Sequence, residues 1–237
     1  MLAFVIMRDR VTYARQCVDA LTAAGLDVAL VDHDSTWPAA YKWLDEMRWR
    51  SEPRWPAVWS DTNRHPRDVW RPDGPIAQLV RPGERFIVTD CDVVPDPDCP
   101  ADWVTFLGEL LDAEPRAVKA GLGLRTDDLP EHFAHRAEVQ AWEAKYQPPA
   151  AHWVCDPDGP PAAWADIDTT LAMYRRFELF RLGPAIRTTG PYLARHLPWH
   201  EDTSRRSDEL AHFYGRAEHG HWRAPDNFDD THGLEST

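Results

Sequence analysis

Apolar positions alternate between short runs and helical periods along the first half of the chain. Leu2 to Met7 is an apolar run of strand length, and Val11, Ala14, Val18 and Leu21 recur at helical spacing up to Ala24, before Gly25 stops the pattern. Asp27 to Val31 predicts a second strand that runs into Asp32-His33-Asp34-Ser35-Thr36. Trp37 to Trp49 predicts a helix, with Thr36 as N-cap and Pro38 near its first turn. Ala57 to Ser60 predicts a third strand, and Arg67 to Val80 predicts two short pieces broken by Pro72, Gly74 and Pro75. Arg85 to Thr89 predicts another strand, Ala101 to Ala113 a helix, and Ala117 to Leu124 a further strand. Alternating strands and helices with short connections predict an α/β fold on a mostly parallel, doubly wound sheet.

The second half loses this rhythm. Glu131 to Tyr146 has helical spacing, and Gln147 to Pro161 is rich in Pro, Asp and Gly and reads as a long loop. Ala165 to Tyr174 alternates as a strand does, and Ala185 to Thr189 reads as another. Arg206 to Ala217 predicts a polar helix, followed by a ragged tail from Pro225. No internal repeat or low-complexity tract is present.

Composition narrows the function. The 237 residues carry 39 acidic and 26 basic side chains, a formal net charge of -13. So acidic a chain is a poor non-specific nucleic-acid binder, and it has no polybasic segment for an anionic membrane. No apolar stretch is long enough to span a bilayer, and Met1 to Met7 reads as the first strand rather than a signal peptide. Cys17, Cys91, Cys99 and Cys155 form no CxxC pair, which predicts reduced thiols in a cytoplasmic protein. The 12 tryptophans serve either as core filling or as flat platforms for sugar faces.

Four segments can carry chemistry. The run Phe86-Ile87-Val88-Thr89 ends on Asp90-Cys91-Asp92. Side chains two apart on an extended chain share a side, so both carboxylates can meet one hard cation, Mg²⁺ or Mn²⁺. Carboxyl ends of strands line the ligand crevice in open α/β sheets. The second segment is Val31-Asp32-His33-Asp34-Ser35-Thr36, where a strand-end acid can accept hydrogen bonds from a ribose or base. In Arg195-His196-Leu197-Pro198-Trp199-His200, read as a loop, either imidazole can complete a metal shell and Trp199 can stack on a sugar. In Ala165-Asp166-Ile167-Asp168-Thr169-Thr170, two carboxylates share one face of the expected strand, and one can serve as a general base.

Together these segments resemble a glycosyltransferase of the GT-A fold, most similar to small bacterial proteins of the family 2 type. The resemblance spans about residues 1 to 215 and rests on Phe4 to Met7, Val31 to Thr36, Thr89-Asp90-Cys91-Asp92 with its DxD motif, Val118 to Arg125, Asp168 to Arg175 and Arg195 to Trp199. It implies a nucleotide-sugar donor, a UDP-sugar first, with a saccharide or small-molecule acceptor and a bound Mn²⁺ or Mg²⁺. By resemblance, Asp32, Asp34, Arg8 and Asp90 hold the nucleotide. Asp90 and Asp92 hold the metal, with His196 or His200 adding a ligand. Asp168, then Asp166, is the base of an inverting transfer, with Glu201-Asp202 and Asp208-Glu209 as looser acidic pairs. Residues 1–125 form the donor half and 126–237 the acceptor half of one domain, and a homodimer is allowed for. The sequence departs from the family pattern at His33 and at Asp34, where glycine is common.

Three other functions fit parts of the pattern. A haloacid-dehalogenase-type phosphohydrolase uses Asp-x-Asp with the first Asp as nucleophile, but on its first strand. A nucleotidyltransferase lacks its glycine- and arginine-rich signature near Met7. A non-catalytic nucleotide-sugar-binding protein would keep the fold and lose the base.

Overall fold

Alternate residues of the first strand serve two different cores. In β1 (Leu2–Met7), Ala3, Val5 and Met7 face one apolar cluster, while Phe4 and Ile6 face another. A strand buried on both faces reads as a continuous apolar run. The computed structural model describes residues 1–48, 57–61, 66–146, 154, 162–202 and 205–216.

Helix α1 (Val11–Ala23) lays Val11, Ala14, Cys17, Val18 and Leu21 on the first cluster. It ends at Gly25, whose φ of 79° is the left-handed conformation glycine adopts without steric cost. There the Gly25 amide donates to Thr22 O and the Leu26 amide to Leu21 O, the paired bonds of a Schellman cap. β2 (Asp27–His33), α2 (Pro38–Arg48) and β3 (Ala57–Asp61) complete the first winding. A 3₁₀ turn at Pro66–Trp70 and α3 (Pro75–Leu79) cover the second cluster with Val69, Trp70 and Ile76. They are the two short pieces expected between residues 67 and 80.

The chain then returns through β4 (Phe86–Asp90), β5 (Val93–Pro95), α4 (Trp103–Ala113), β6 (Lys119–Gly121) and β7 (Gly123–Leu124). Helix α5 (Arg136–Ala144), β8 (Ala162–Trp164), β9 (Ala172–Tyr174), β10 (Ala185–Thr188), β11 (Leu193–His196), a 3₁₀ turn at Leu197–His200 and α6 (Asp208–Arg216) follow. The main sheet has the order β3-β2-β1-β4-β9-β6-β10-β8, and β5-β11-β7 form a small second sheet. β3, β2, β1 and β4 are mutually parallel, and β10 is parallel to β6. β9 runs antiparallel between β4 and β6, and β8 runs antiparallel on the edge. The sheet is therefore mixed, parallel in its donor-side half. The result is an α/β sheet flanked by helices, the class expected from the sequence.

Several elements differ from the sequence expectation. The stretch 117–124 is two strands in two sheets, not one. Within 165–174 only Ala172–Tyr174 is strand, so Asp166 and Asp168 do not share a strand face. Arg195 and His196 lie in β11, and Leu197 to His200 form the 3₁₀ turn rather than an open loop. The expected loop 147–161 lies outside the described residues except Val154, as does the tail from Pro225. Among the described residues no helix is long and apolar enough to cross a membrane.

Candidate functional site

From β1 the chain winds outward through β2 to β3, and β4 then pairs on the other side of β1. That reversal of strand order opens a crevice at the carboxyl ends of β1 and β4. Three segments meet there: Arg8-Asp9-Arg10 after β1, Asp32 to Thr36 from the end of β2, and Asp90 to Asp92 from the end of β4.

Asp9 ties the first two together. Its carboxylate Oδ1 accepts the amides of Thr36 and Trp37, and its own amide donates to Ser35 Oγ at 2.7 Å. Asp9 thus satisfies the amides ahead of α2, the task expected of Thr36. The Thr36 hydroxyl instead meets His212 Nε2 at 3.0 Å. Asp32 is buried and accepts the Ser35 amide at 3.1 Å; burial raises its proton affinity, against the Ser35 bonds. Asp34 is exposed with φ 62°, in the left-handed region that glycine adopts most easily. Arg8, just after β1, is half-buried.

Asp90 and Asp92 turn to different partners. Asp90 Oδ2 accepts the Thr169 hydroxyl at 2.6 Å, and the Asp90 amide donates to Thr169 O at 3.2 Å. Burial, then the charge of Asp92, pushes the Asp90 carboxyl well above the usual carboxylate range, with the Thr169 bond opposing. Asp92 Oδ2 accepts Arg10 Nη1 and lies 3.3 Å from His196 Nε2. Burial of Asp92 works against its charge, but Arg10 and then His196 outweigh it and hold the carboxyl below the usual range. Arg10 also lies with its guanidinium 4.3 Å from the Phe213 ring centroid, so α6 closes over the pair. Glu209 of α6 accepts the Thr12 amide at 3.0 Å and its hydroxyl at 3.1 Å, placing an acid at the positive end of α1. Glu209 therefore anchors α6 to the start of α1.

The four expected metal ligands are not arranged as one shell. Asp92 and His196 are together, but Asp92 Oδ2 already carries Arg10. His200 is in the turn beyond β11, half-buried, and feels the charges of Asp128, Arg195 and Asp96; burial lowers its proton affinity. Among the described residues no group of three or more His, Cys, Asp or Glu side chains converges as a cation site. With Asp92 Oδ2 on Arg10, a divalent ion there would compete with the guanidinium.

The expected bases are both exposed. Asp168 Oδ1 accepts the Thr170 amide at 3.0 Å, and its charge reaches Asp90. Trp199 is 5% exposed within the first core cluster and packs 4.7 Å from the His196 ring, so it is core and not a sugar platform. Trp43, Trp70 and Trp103 are likewise buried in the two clusters.

Sequence reasoning missed Asp9, Arg10, Thr169, Glu143 and Arg187. Signals existed for three of them. Arg10 follows β1 at the same sheet edge as Asp90. Glu143 stands four residues after Val139 on the buried side of α5, where a carboxylate is out of pattern. Arg187 interrupts a four-residue strand that is buried throughout. Asp9 and Thr169 gave none, because their partners are distant in sequence.

The class these features define is an α/β protein with a carboxylate- and arginine-lined crevice at the reversal of its strand order. No family model matches the chain, and no curated protein matches it. A crystal structure of S. aureus TarS, residues 1–349, is similar at 14% identity and a TM-score of 0.35, over 56% of this chain. The chain spans 38% of that structure's length. So slight a likeness carries no argument about function.

Proposed function

We propose that the chain moves a sugar from a nucleoside-diphosphate sugar, a UDP-sugar first, to a hydroxyl acceptor with inversion. The observation that carries this reading is the meeting of Asp32, Arg8-Asp9-Arg10 and Asp90 at the carboxyl ends of β2, β1 and β4. Ligands of open α/β sheets bind at that reversal. The Asp32 carboxylate faces the role of accepting a ribose or base hydrogen bond. Asp90, with its proton affinity raised, can donate to a sugar or ribose oxygen instead of repelling a diphosphate. The Arg10 charge balances Asp92, so the crevice presents less negative charge than Asp9, Asp32, Asp90 and Asp92 together suggest. A divalent cation would have to displace Arg10 from Asp92 before it could be held there.

The test is a thermal-shift measurement with UDP and GDP, in EDTA and in Mn²⁺. The nucleotides are expected to raise the melting temperature in EDTA, and Asp32→Ala is expected to remove the shift. A shift seen only with Mn²⁺ would show that the cation displaces Arg10. Turnover of p-nitrophenyl phosphate that Asp90→Asn destroys would move the reading to a phosphohydrolase. Binding without donor hydrolysis or transfer would leave a nucleotide-sugar-binding protein.

A further inference from the structure

Beside the crevice lies a pocket that the donor reading does not use. It opens between α5, β10 and the paired strands β7 and β11, with a cavity volume of about 170 Å³. Glu143, Tyr146, Arg187 and Thr188 line it. Arg187 Nη2 donates to Glu143 Oε2, with the two side chains 7% and 8% exposed. The Arg187 guanidinium lies 4.7 Å from the Tyr146 ring centroid.

The pocket and the crevice share a wall. Leu193 lines the pocket and begins β11, and His196 ends β11 on Asp92. Three residues of strand cover about 10 Å. The charge of Asp168 raises the proton affinity of Asp90 in the crevice and of Glu143 in the pocket. Charge in the pocket is balanced: Arg187 against Glu143, and at the rim Arg125 Nε against Asp127 at 3.0 Å. Such a lining suits a neutral ligand with many donors and acceptors, and the Tyr146 ring suits an apolar sugar face.

We propose that this pocket receives the acceptor, an uncharged saccharide, and that the Glu143 carboxylate takes the proton of its attacking hydroxyl. The proposal rests on the donor reading above. The acceptor oxygen forms a bond to the anomeric carbon of the donor sugar. The bond from that carbon to the diphosphate oxygen breaks, and its electron pair leaves with the nucleoside diphosphate. The hydroxyl proton passes to Glu143. Burial raises the proton affinity of Glu143 although Arg187 opposes it, which suits a base. Arg187 holds the carboxylate in place and is a positioning residue.

The test assays Glu143→Gln with UDP-glucose and GDP-mannose as donors and uncharged p-nitrophenyl glycosides as acceptors. Nucleotide-induced thermal shift is measured alongside. The variant is expected to keep the nucleotide shift and to transfer slower by about 100-fold or more. The acid limb of the wild-type kcat–pH profile is expected to disappear. Should Glu143→Gln not fold, Tyr146→Ala, at a half-buried position, is expected to raise the acceptor KM about 5- to 10-fold with the donor KM unchanged. Unchanged transfer in Glu143→Gln, or an unchanged acceptor KM in Tyr146→Ala, overturns the proposal and leaves the donor reading standing. So does a wild-type protein that binds nucleotide but glycosylates none of these acceptors. No nucleotide shift in the wild type overturns both.

Discussion

The Arg10–Asp92 pair sets the electrostatics of the crevice, with side chains 17% and 4% exposed. Removing one partner of a buried pair strands the other's charge and costs about 3–5 kcal/mol. Arg10→Met is expected to lower stability by about 3 kcal/mol in urea denaturation, and Arg10→Met with Asp92→Asn to recover part of it. Equal losses in the single and double variants would show that the pair is not what is lost. A second buried cation gives a pH dependence. Burial pushes the Lys119 ammonium down to about 7, although Asp168 and Asp166 oppose it. An unfolded lysine titrates near about 10.4, so between these values the unfolded chain binds more protons and stability rises with pH. Lys119→Met is expected to flatten that rise; the same slope in both proteins between pH 7 and 10 would refute it. The acids of the crevice were legible in the sequence, whereas Arg10 offered only its place just after β1. A carboxylate ending an apolar run is a local signal. The arginine that neutralises Asp92 is 82 residues away in the chain, and only the fold brings it there.

At the scale of elements, the break between β6 and β7 is made by backbone contact. A Cβ on Gly123 would lie 2.3 Å from Thr188 O, while the Gly123 amide donates to Thr188 Oγ1 at 3.1 Å. Glycine lets β7 pass β10 this closely and pair with β11 in the second sheet. Gly123→Ala is expected to cost about 1–3 kcal/mol, read as a lower melting temperature. An unchanged melting temperature would mean that Thr188 gives way. The apolar run from Ala117 to Leu124 reads as one strand because both halves are buried, and burial does not reveal which sheet a strand joins. Ala165 to Tyr174 misleads for a related reason. Ile167 is buried and its neighbours Asp166 and Asp168 are exposed, so the alternation is real. The Ile167 and Asp168 carbonyls, however, accept Lys119 Nζ instead of a strand partner. The longer elements, β1, α1, β2 and α4, were legible, because many apolar positions repeat at one period.

At the scale of the whole molecule, strands from both halves of the chain interleave in one sheet. β6, from the first half, lies between β9 and β10 from the second. β9 is held against β4 by Tyr174, whose ring stacks on Phe86 at 5.1 Å. A fragment of residues 1–125 would expose both edges of β6 and lose that stack. It is expected to show no cooperative thermal unfolding by circular dichroism; a sharp transition would mean that the donor half folds alone. The α/β class and the position of the crevice followed from the alternating pattern. The antiparallel insertion of β9 did not, because a three-residue strand carries too little pattern to fix its direction. The central claim, that the crevice at the strand-order reversal holds a nucleotide, is tested most directly by calorimetric titration of UDP and GDP into wild type and Asp32→Ala. Saturable binding in the wild type and its loss in the variant are expected. Equal binding by both proteins, or none by the wild type in either EDTA or Mn²⁺, would contradict the claim.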